Sequence, residues 1–405
     1  MKNIPEIRIK GFEGEWKEKL IGDISDSFSG GTPNAHEPSY YGGKIPFIRS
    51  GEIGSNKTEL FLTDKGYQNS SAKIVEKGTL LYALYGATSG EVAISNINGA
   101  INQAILAIYP HKGYDSVFMH YWLKANKKDI ISTYLQGGQG NLSGELVKSI
   151  KILFPNLAEQ QSLGSFFSSF DRLLSDHHRR LENLRRVKKS MLQKMFPQQG
   201  QTVPEIRFKG FSGEWEKAKL STFLEVSEEK NSDNFYGIEE DVLSVSGDYG
   251  VVNQIEFQGR SFAGASVAGY GVAETGDVIY TKSPLKSNPY GIIKTNKGKP
   301  GIVSVLYGVY HPIKGRTDSS FVQTYFESDA RLNNYLRVLI NKGSKNTLLI
   351  SDEDALRGEV CFPSYEEQQR ISSFFTSLDN LINDEVNYID QLTRVKSTLL
   401  QKMFV

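Results

Sequence analysis

Leu157-Ala158-Glu159-Gln160-Gln161-Ser162-Leu163 opens a stretch that runs without proline to Gln193-Lys194-Met195-Phe196. The chain writes it again 208 residues later, from Tyr365-Glu366-Glu367-Gln368-Gln369-Arg370-Ile371 to Gln401-Lys402-Met403-Phe404. Phe154-Pro155 introduces the first copy and Phe362-Pro363 the second. In the first, apolar residues fall at Leu163, Phe167, Phe170, Leu174, Leu181, Leu184, Met191 and Met195, in alternating steps of four and three. His177 and Lys188 take the two remaining positions of that stripe. The second copy repeats the seam at Ile371, Phe375, Leu378, Ile382, Ile389, Leu392, Leu399 and Met403, with Glu385 and Lys396 in the polar slots. This is heptad spacing, and it predicts two helices of about 38 residues, about 57 Å each, whose apolar stripes face one another.

A second repeat frames the first. Pro5-Glu6-Ile7-Arg8 through Gly11-Phe12-Glu13-Gly14-Glu15-Trp16 returns 199 residues later as Pro204-Glu205-Ile206-Arg207 through Gly210-Phe211-Ser212-Gly213-Glu214-Trp215. Between these frames the interiors, roughly 20–150 and 220–358, share almost nothing. Only Pro197 to Val203 joins the first helix to the second frame, a reach of at most about 25 Å. Compact domains keep their ends close together, so the second helix is expected to start near the end of the first and run back. The expected fold class is therefore α+β: two mixed α/β domains joined by two long antiparallel coiled-coil helices, with an internal pseudo-twofold repeat. The boundaries are 1–153 for the first domain, 154–197 for the central helix, 198–361 for the second domain and 362–405 for the C-terminal helix. Duplex DNA has matching symmetry, and dimeric readers use half-sites ~34–36 Å apart. Two unlike readers on one frame imply two unlike half-sites with an unread gap.

Composition bounds the alternatives. The 405 residues allow about two to four domains, and 38 glycines against 13 prolines suit turn-rich folded domains. No apolar run approaches the ~18 residues of a membrane span, and the N-terminus lacks a secretory core. The single cysteine, Cys361, excludes an internal disulfide and fits a cytoplasmic setting. A net charge of +1 means that phosphate contacts must come from local patches. One such patch is Arg179, Arg180, Arg185, Arg186, Lys188, Lys189 and Lys194, opposed only by Glu182; a solvated helix face reads the same way.

Both interiors read as short strands between polar, glycine-rich turns. In the first, strands are expected at 78–83 and 103–109, a helix at 117–127 and a loop at 136–141. In the second, strands are expected around 242–246 and 277–280, loops at 246–250, 282–290 and 315–319, and a helix at 329–341. Side chains that bond base edges and phosphates make the DNA-binding candidates. In the first interior these are Thr32, Lys44, Arg49, Ser50, Tyr82, Tyr85, Thr88, Ser89, Asn102, Gln139 and Asn141. In the second they are Ser246, Tyr249, Lys282, Ser283, Lys286, Asn288, Tyr290, Arg316 and Thr317. Catalytic signatures are missing: Pro300 takes the hydroxyl position after Gly298-Lys299, and Asn288-Pro289-Tyr290 lacks the second proline of an amino-methyltransferase loop. His177 and His178 lie about 100° apart on a helix, which does not suit a shared metal.

The chain resembles the specificity subunit of type I restriction-modification systems. The resemblance rests on Gly30-Gly31-Thr32-Pro33 with Tyr41-Gly42-Gly43-Lys44-Ile45-Pro46-Phe47-Ile48, on Asn102-Gln103, and on the doubled Phe-Pro and Glu-Gln-Gln motifs leading into long helices. The second interior departs from it by lacking the Gly-Gly-Thr-Pro opening. The resemblance implies a non-catalytic subunit that binds double-stranded DNA, each variable domain reading one half-site. The helices would set the gap and dock two modification subunits (adenine-N6 methyltransferases) and, through them, the restriction motor-nuclease subunits. It implies docking through Gln160, Gln161, Phe166, Phe167, Gln368, Gln369, Phe374 and Phe375, although for Phe167 and Phe375 their place in the seam favours coiled-coil core. S-adenosylmethionine, ATP and Mg²⁺ are expected on the partner subunits and no cofactor or metal on this chain. The competing reading is a non-catalytic adaptor whose two domains bind proteins.

Overall fold

A computed structural model describes residues 3–134, 141–238, 240–285, 288–342 and 348–404. The chain folds as two compact units, residues 1–178 with 387–405 and residues 179–386. The expected long helices are present as a central helix, Leu157–Lys194, and a C-terminal helix, Tyr365–Met403. Each contributes residues to both units.

In the first unit the central helix and the end of the C-terminal helix run antiparallel, with Phe167 against Phe404, Asp171 bonded to Lys396, and His177 against Tyr388. The second unit repeats the direction with Arg180 beside Glu385, Lys188 on Asp379 at 2.6 Å, and Phe196 against Phe375. Seam residues Leu163, Phe167, Leu181, Ile371, Phe375, Leu378 and Ile389 are buried, as are the polar seam residues Glu385 and Lys396. Gly164 sits where the central helix meets the first interior, and a Cβ there would crowd Val117 and Asp115 at 3.2–3.3 Å.

The short frame repeat docks on helix ends. Ile206 donates its backbone N–H to the Lys194 carbonyl at 2.9 Å, and Ile7 does the same to Lys402 at 2.9 Å. Trp16 packs on Phe118 and Phe404, and Trp215 on Phe196 and Phe321. Next to each tryptophan a strand closes its unit: Lys17–Leu20 pairs antiparallel with Lys151–Phe154, and Glu216–Lys219 with Glu359–Phe362.

Sequence comparison of the interiors did not anticipate that they share a sheet. In the first unit the strand order is Ser25–Ser29, Ile105–Pro110, Leu80–Ala83, Val92–Ile94. In the second it is Leu224–Val226, Tyr307–Pro312, Val278–Thr281, Ile293–Thr295, again all antiparallel. Register matches as well, Tyr82 opposing Leu106 and Tyr280 opposing Gly308 at the same step of the ladder. A capped helix packs near each sheet: Ser116–Ala125 begins at Asp115 and Ser319–Phe326 at Asp318. What differs is inserted. The first unit adds a second four-stranded sheet built on Tyr41–Ile48, and the second adds a hairpin, Leu243–Ser246 with Gly250–Asn253.

Several boundaries move. The helix expected at 117–127 is Ser116–Ala125 followed by Lys127–Tyr134. The one expected at 329–341 ends at Arg337, and Ser319–Phe326 forms where the expected loop 315–319 leaves off. Asp318 starts that helix by accepting the Phe321 N–H at 2.7 Å, and Phe321, Val322, Tyr325 and Phe326 are buried.

Candidate nucleic-acid interface

Equivalent sheets bring equivalent loop ends together. In the first unit, strands 25–29 and 80–83 finish where 105–110 begins, so loops 30–32, 84–90 and 102–104 meet at one end. The Leu84 N–H reaches the Ala104 carbonyl at 2.8 Å, and the Gly31 N–H the Ile101 carbonyl at 3.2 Å. The exposed Thr32 hydroxyl bonds the Gln103 side chain, and Asn102 is bound beside them through its N–H to Ile48. Gly30 and Gly31 are needed for approach: a Cβ would fall 1.9 Å from the Ile101 oxygen and 2.1 Å from the Ser71 hydroxyl. Tyr85 forms a β-bridge with Asn141, whose side-chain oxygen accepts the Gly86 N–H at 3.4 Å, and the Thr88 hydroxyl donates to the Tyr85 carbonyl. Thr32, Asn102, Tyr85, Thr88 and Asn141 thus share one edge. Gln103, which bonds Thr32, was not among the candidates, although its place beside Asn102 was legible.

Other candidates of this unit lie elsewhere. Lys44 is exposed on the inserted sheet. Arg49 is committed to Glu52 and Glu59, at 3.1 and 2.6 Å, with Ser50 starting the turn between them. Burial works against the Glu52 carboxylate, yet bonds from Arg49, two backbone amides and Thr58 hold its pKa down at about 2. Tyr82 must be corrected: its ring is fully buried on the inward face of strand 80–83, and burial pushes its phenol far above the usual range. Ser89 is buried too, donating to the Leu84 carbonyl at 3.1 Å. Gln139 and Lys286 lie outside the described residues.

In the second unit the matching sheet end carries Lys282 and Ser283. The Lys282 N–H donates to the Leu306 carbonyl at 2.9 Å, the counterpart of Leu84 and Ala104. Its ammonium pairs with Asp352 at 2.8 Å. Asn288 is buried against Asp329 at 2.8 Å, and the Tyr290 carbonyl accepts the Tyr280 hydroxyl, so both brace the loop. Arg316 and Thr317 leave the candidate surface. They lie past the opposite end of strand 307–312, where Arg316 pairs with Glu216 and the Thr317 hydroxyl is buried on the Phe223 carbonyl. Ser246 and Tyr249 are at the hairpin turn, with Tyr249 exposed.

The repeated helix starts are arranged for folding. Glu159 is buried and takes a two-pronged bond from Arg8, at 2.8 and 2.7 Å; Glu367 takes the same from Arg207, both at 2.7 Å. Gln160 accepts the Asp115 N–H at 2.9 Å and donates to the Pro155 carbonyl at 2.9 Å. Gln368 accepts from Asp318 and donates to the Arg316 and Pro363 carbonyls, each at 3.0 Å. Gln160, Gln368, Phe167 and Phe375 are therefore buried within the chain, which corrects their expected docking role. Gln161 and Gln369 are exposed, and Phe166 and Phe374 half-buried. From the basic run, Arg180, Lys188 and Lys194 pair with Glu385, with Glu327 and Asp379, and with Glu205; Arg185 and Lys189 face a groove of the second unit. Among the described residues no helix is long and apolar enough to cross a membrane.

Residues 13–186 match the family model described as type I restriction modification DNA specificity domain. Across 99% of both chains, the fold superposes on the type I restriction-modification S subunit from M. genitalium with a TM-score of 0.62, at 16% identity. The chain is similar to type I restriction-modification specificity subunits. It is 26% identical over 241 residues to the MjaIX specificity subunit of Methanocaldococcus jannaschii, a match covering 54% of each chain. The chain thus spans about half the length of that relative. With the MjaVIII specificity subunit of the same organism it shares 21% identity over 398 residues, 95% of this chain and 91% of the other. The doubled frame and the paired α+β units are thus the fold of that S subunit, and the two units differ in their inserts and in the loops at the sheet ends.

Proposed function

We propose that this chain supplies the DNA sequence specificity of a type I restriction-modification complex, each unit reading one half of a bipartite, asymmetric site in double-stranded DNA. One observation carries the reading: two sheets of identical strand order and register present unlike polar loops at the same end. A frame that repeats and loops that do not are what two unlike half-sites demand. In the first unit the reading edge is Thr32, Tyr85, Thr88, Asn102 and Asn141, with Lys44 on the neighbouring insert. In the second it is the loop around Lys282 and Ser283 together with the hairpin bearing Ser246 and Tyr249.

The two helices then set the gap between half-sites. Two modification subunits dock on them at the exposed Gln161 and Gln369 and the half-buried Phe166 and Phe374, and the restriction subunits join through that complex. The chain is a non-catalytic subunit: methyl transfer to adenine N6 and ATP-driven cleavage belong to those partners, with S-adenosylmethionine, ATP and Mg²⁺ bound there. The site of action is the cytoplasm. Binding of the purified chain to random duplex between about 50 and 200 mM salt tests the reading. A steep fall in affinity is expected. A flat response favours a protein-binding adaptor, and methyl transfer from S-adenosylmethionine by the purified chain alone contradicts the division of labour.

A further inference from the structure

The hairpin of the second unit forms its own two-stranded ribbon, Leu243–Ser246 paired with Gly250–Asn253. Leu243, Val245 and Val251 root it in a small apolar cluster. Its turn is Gly247-Asp248-Tyr249, closed by Gly250 in the left-handed region at φ 75°. Tyr249 stands there 69% exposed, its ring 5.0 Å from that of Phe257, itself 44% exposed on the short helix Gln254–Gln258. Both rings stand outside the apolar cluster that roots the ribbon, although Val245 and Val251 of that cluster pair one rung from the turn.

The two sides of the ribbon carry opposite charge. One groove, of about 610 Å³, runs between the turn and the central helix. There Arg185, Lys188, Lys189, Lys294 and Lys297 face Asp248, Glu327, Asp329 and Asp379, a balance of one positive charge, with Lys188 bonded to Glu327 and Asp379. The other groove, of about 750 Å³, is lined by Glu240, Asp241 and Glu256 against Lys299 alone. A polyanion is drawn to the first side and repelled from the second. A two-stranded ribbon is one of the two elements that the major groove of B-DNA admits.

Resting on the function proposed above, we propose that the 243–253 ribbon enters the major groove and that Tyr249, braced by Phe257, is a specificity-determining residue of the second unit. Arg185, Lys189 and Lys297 then lie against the phosphates beside it. The ring contacts base edges, and the cations position the ribbon without reading sequence.

The test is selection of the full-length chain on a randomised duplex pool, with Tyr249→Ala, Tyr249→Phe and Arg185→Ala beside the parent. Trp215, the tryptophan of this unit, reports whether each variant is folded. Tyr249→Ala is expected to flatten preference about 10-fold at one to three adjacent base pairs of one half-site, the other half unchanged. Tyr249→Phe should keep most of the preference. Arg185→Ala should weaken all sequences alike and reduce the salt slope by about 1. A Tyr249→Ala profile identical to the parent overturns the proposal. So does an unchanged profile with lost binding of a modification subunit, which makes the aromatic pair a protein contact. If the parent itself enriches no sequence, the specificity function fails, and this inference with it.

Discussion

Lys396 and Lys188 occupy the same slot of the repeated helix, yet their surroundings differ in a telling way. In the first unit Lys396 bonds Asp171, and the second arm of that carboxylate takes the Tyr121 hydroxyl at 2.6 Å. Burial pulls the Lys396 ammonium below its ordinary range despite the single acid. In the second unit Lys188 meets Asp379 at 2.6 Å and Glu327 at 3.0 Å. Burial opposes its charge as well, but two carboxylates outweigh it and its pKa rises. The helix-to-helix half of the interaction repeats: a seam lysine on one helix against an aspartate on the other. The third member comes from the interior, a neutral phenol in one unit and a carboxylate in the other. The frame therefore fixes the register of the helices, and each interior completes the site with its own chemistry.

The sharpest way to break this comparison is where the frame allows no difference. Arg8–Glu159 and Arg207–Glu367 are near-identical pairs on buried glutamates, so Arg8→Ala and Arg207→Ala should each cost about 3–5 kcal/mol in its own unit. Chemical denaturation followed by hydrogen exchange resolves the units; very unequal losses would mean that the frame is not equivalent. Next come the lysines, where inequality is expected. Lys188→Met leaves two acids facing without a cation, and should destabilise by about 3 kcal/mol. Lys396→Met leaves Asp171 its Tyr121 bond, and should cost about 1 kcal/mol. Equal losses would show that Glu327 contributes nothing.

A pH-dependent effect is confined to the first unit. Burial lowers the pKa of His120 to about 4, helped by Lys124 and Lys396 and opposed by Asp171. An imidazole depressed by folding gains its proton first in the unfolded chain. Stability is therefore lost as pH falls from about 6.5 to about 4, by about 3 kcal/mol. His120→Gln should flatten this limb of the pH–stability curve for the first unit, and an unchanged limb would assign it to another group.

The helices were legible because a seam of Leu163, Phe167, Leu181 and their counterparts repeats at a fixed step, and the polar slots at Lys188 and Lys396 could be read from the same count. Their partners could not: Asp171 and Asp379 lie off the seam, and only the antiparallel register brings them across. The shared sheet is hidden in the sequence for a different reason. Leu80-Leu81-Tyr82-Ala83 and Val278-Ile279-Tyr280-Thr281 are buried on both faces, so many apolar sequences satisfy the same strand. That burial also explains why Tyr82, a sound base-contacting residue by type, sits in the core. For Gln160 and Gln368 the repeated Glu-Gln-Gln motif is visible, but its purpose, holding Asp115 and Asp318 at the starts of two helices, depends on partners 45 and 50 residues away in the chain. Among the candidates, exposed loop residues such as Thr32, Tyr85 and Tyr249 were recognisable by type and turn context. Their grouping at one sheet end was not.

The central claim is that the two units read independently on a common frame. Replacing residues 20–150 with another reader and selecting the full chain on randomised duplex tests it most directly. The account predicts a bipartite profile in which one half-site changes while the other half and the gap stay as they were. A change in both halves, or in the gap, would contradict it.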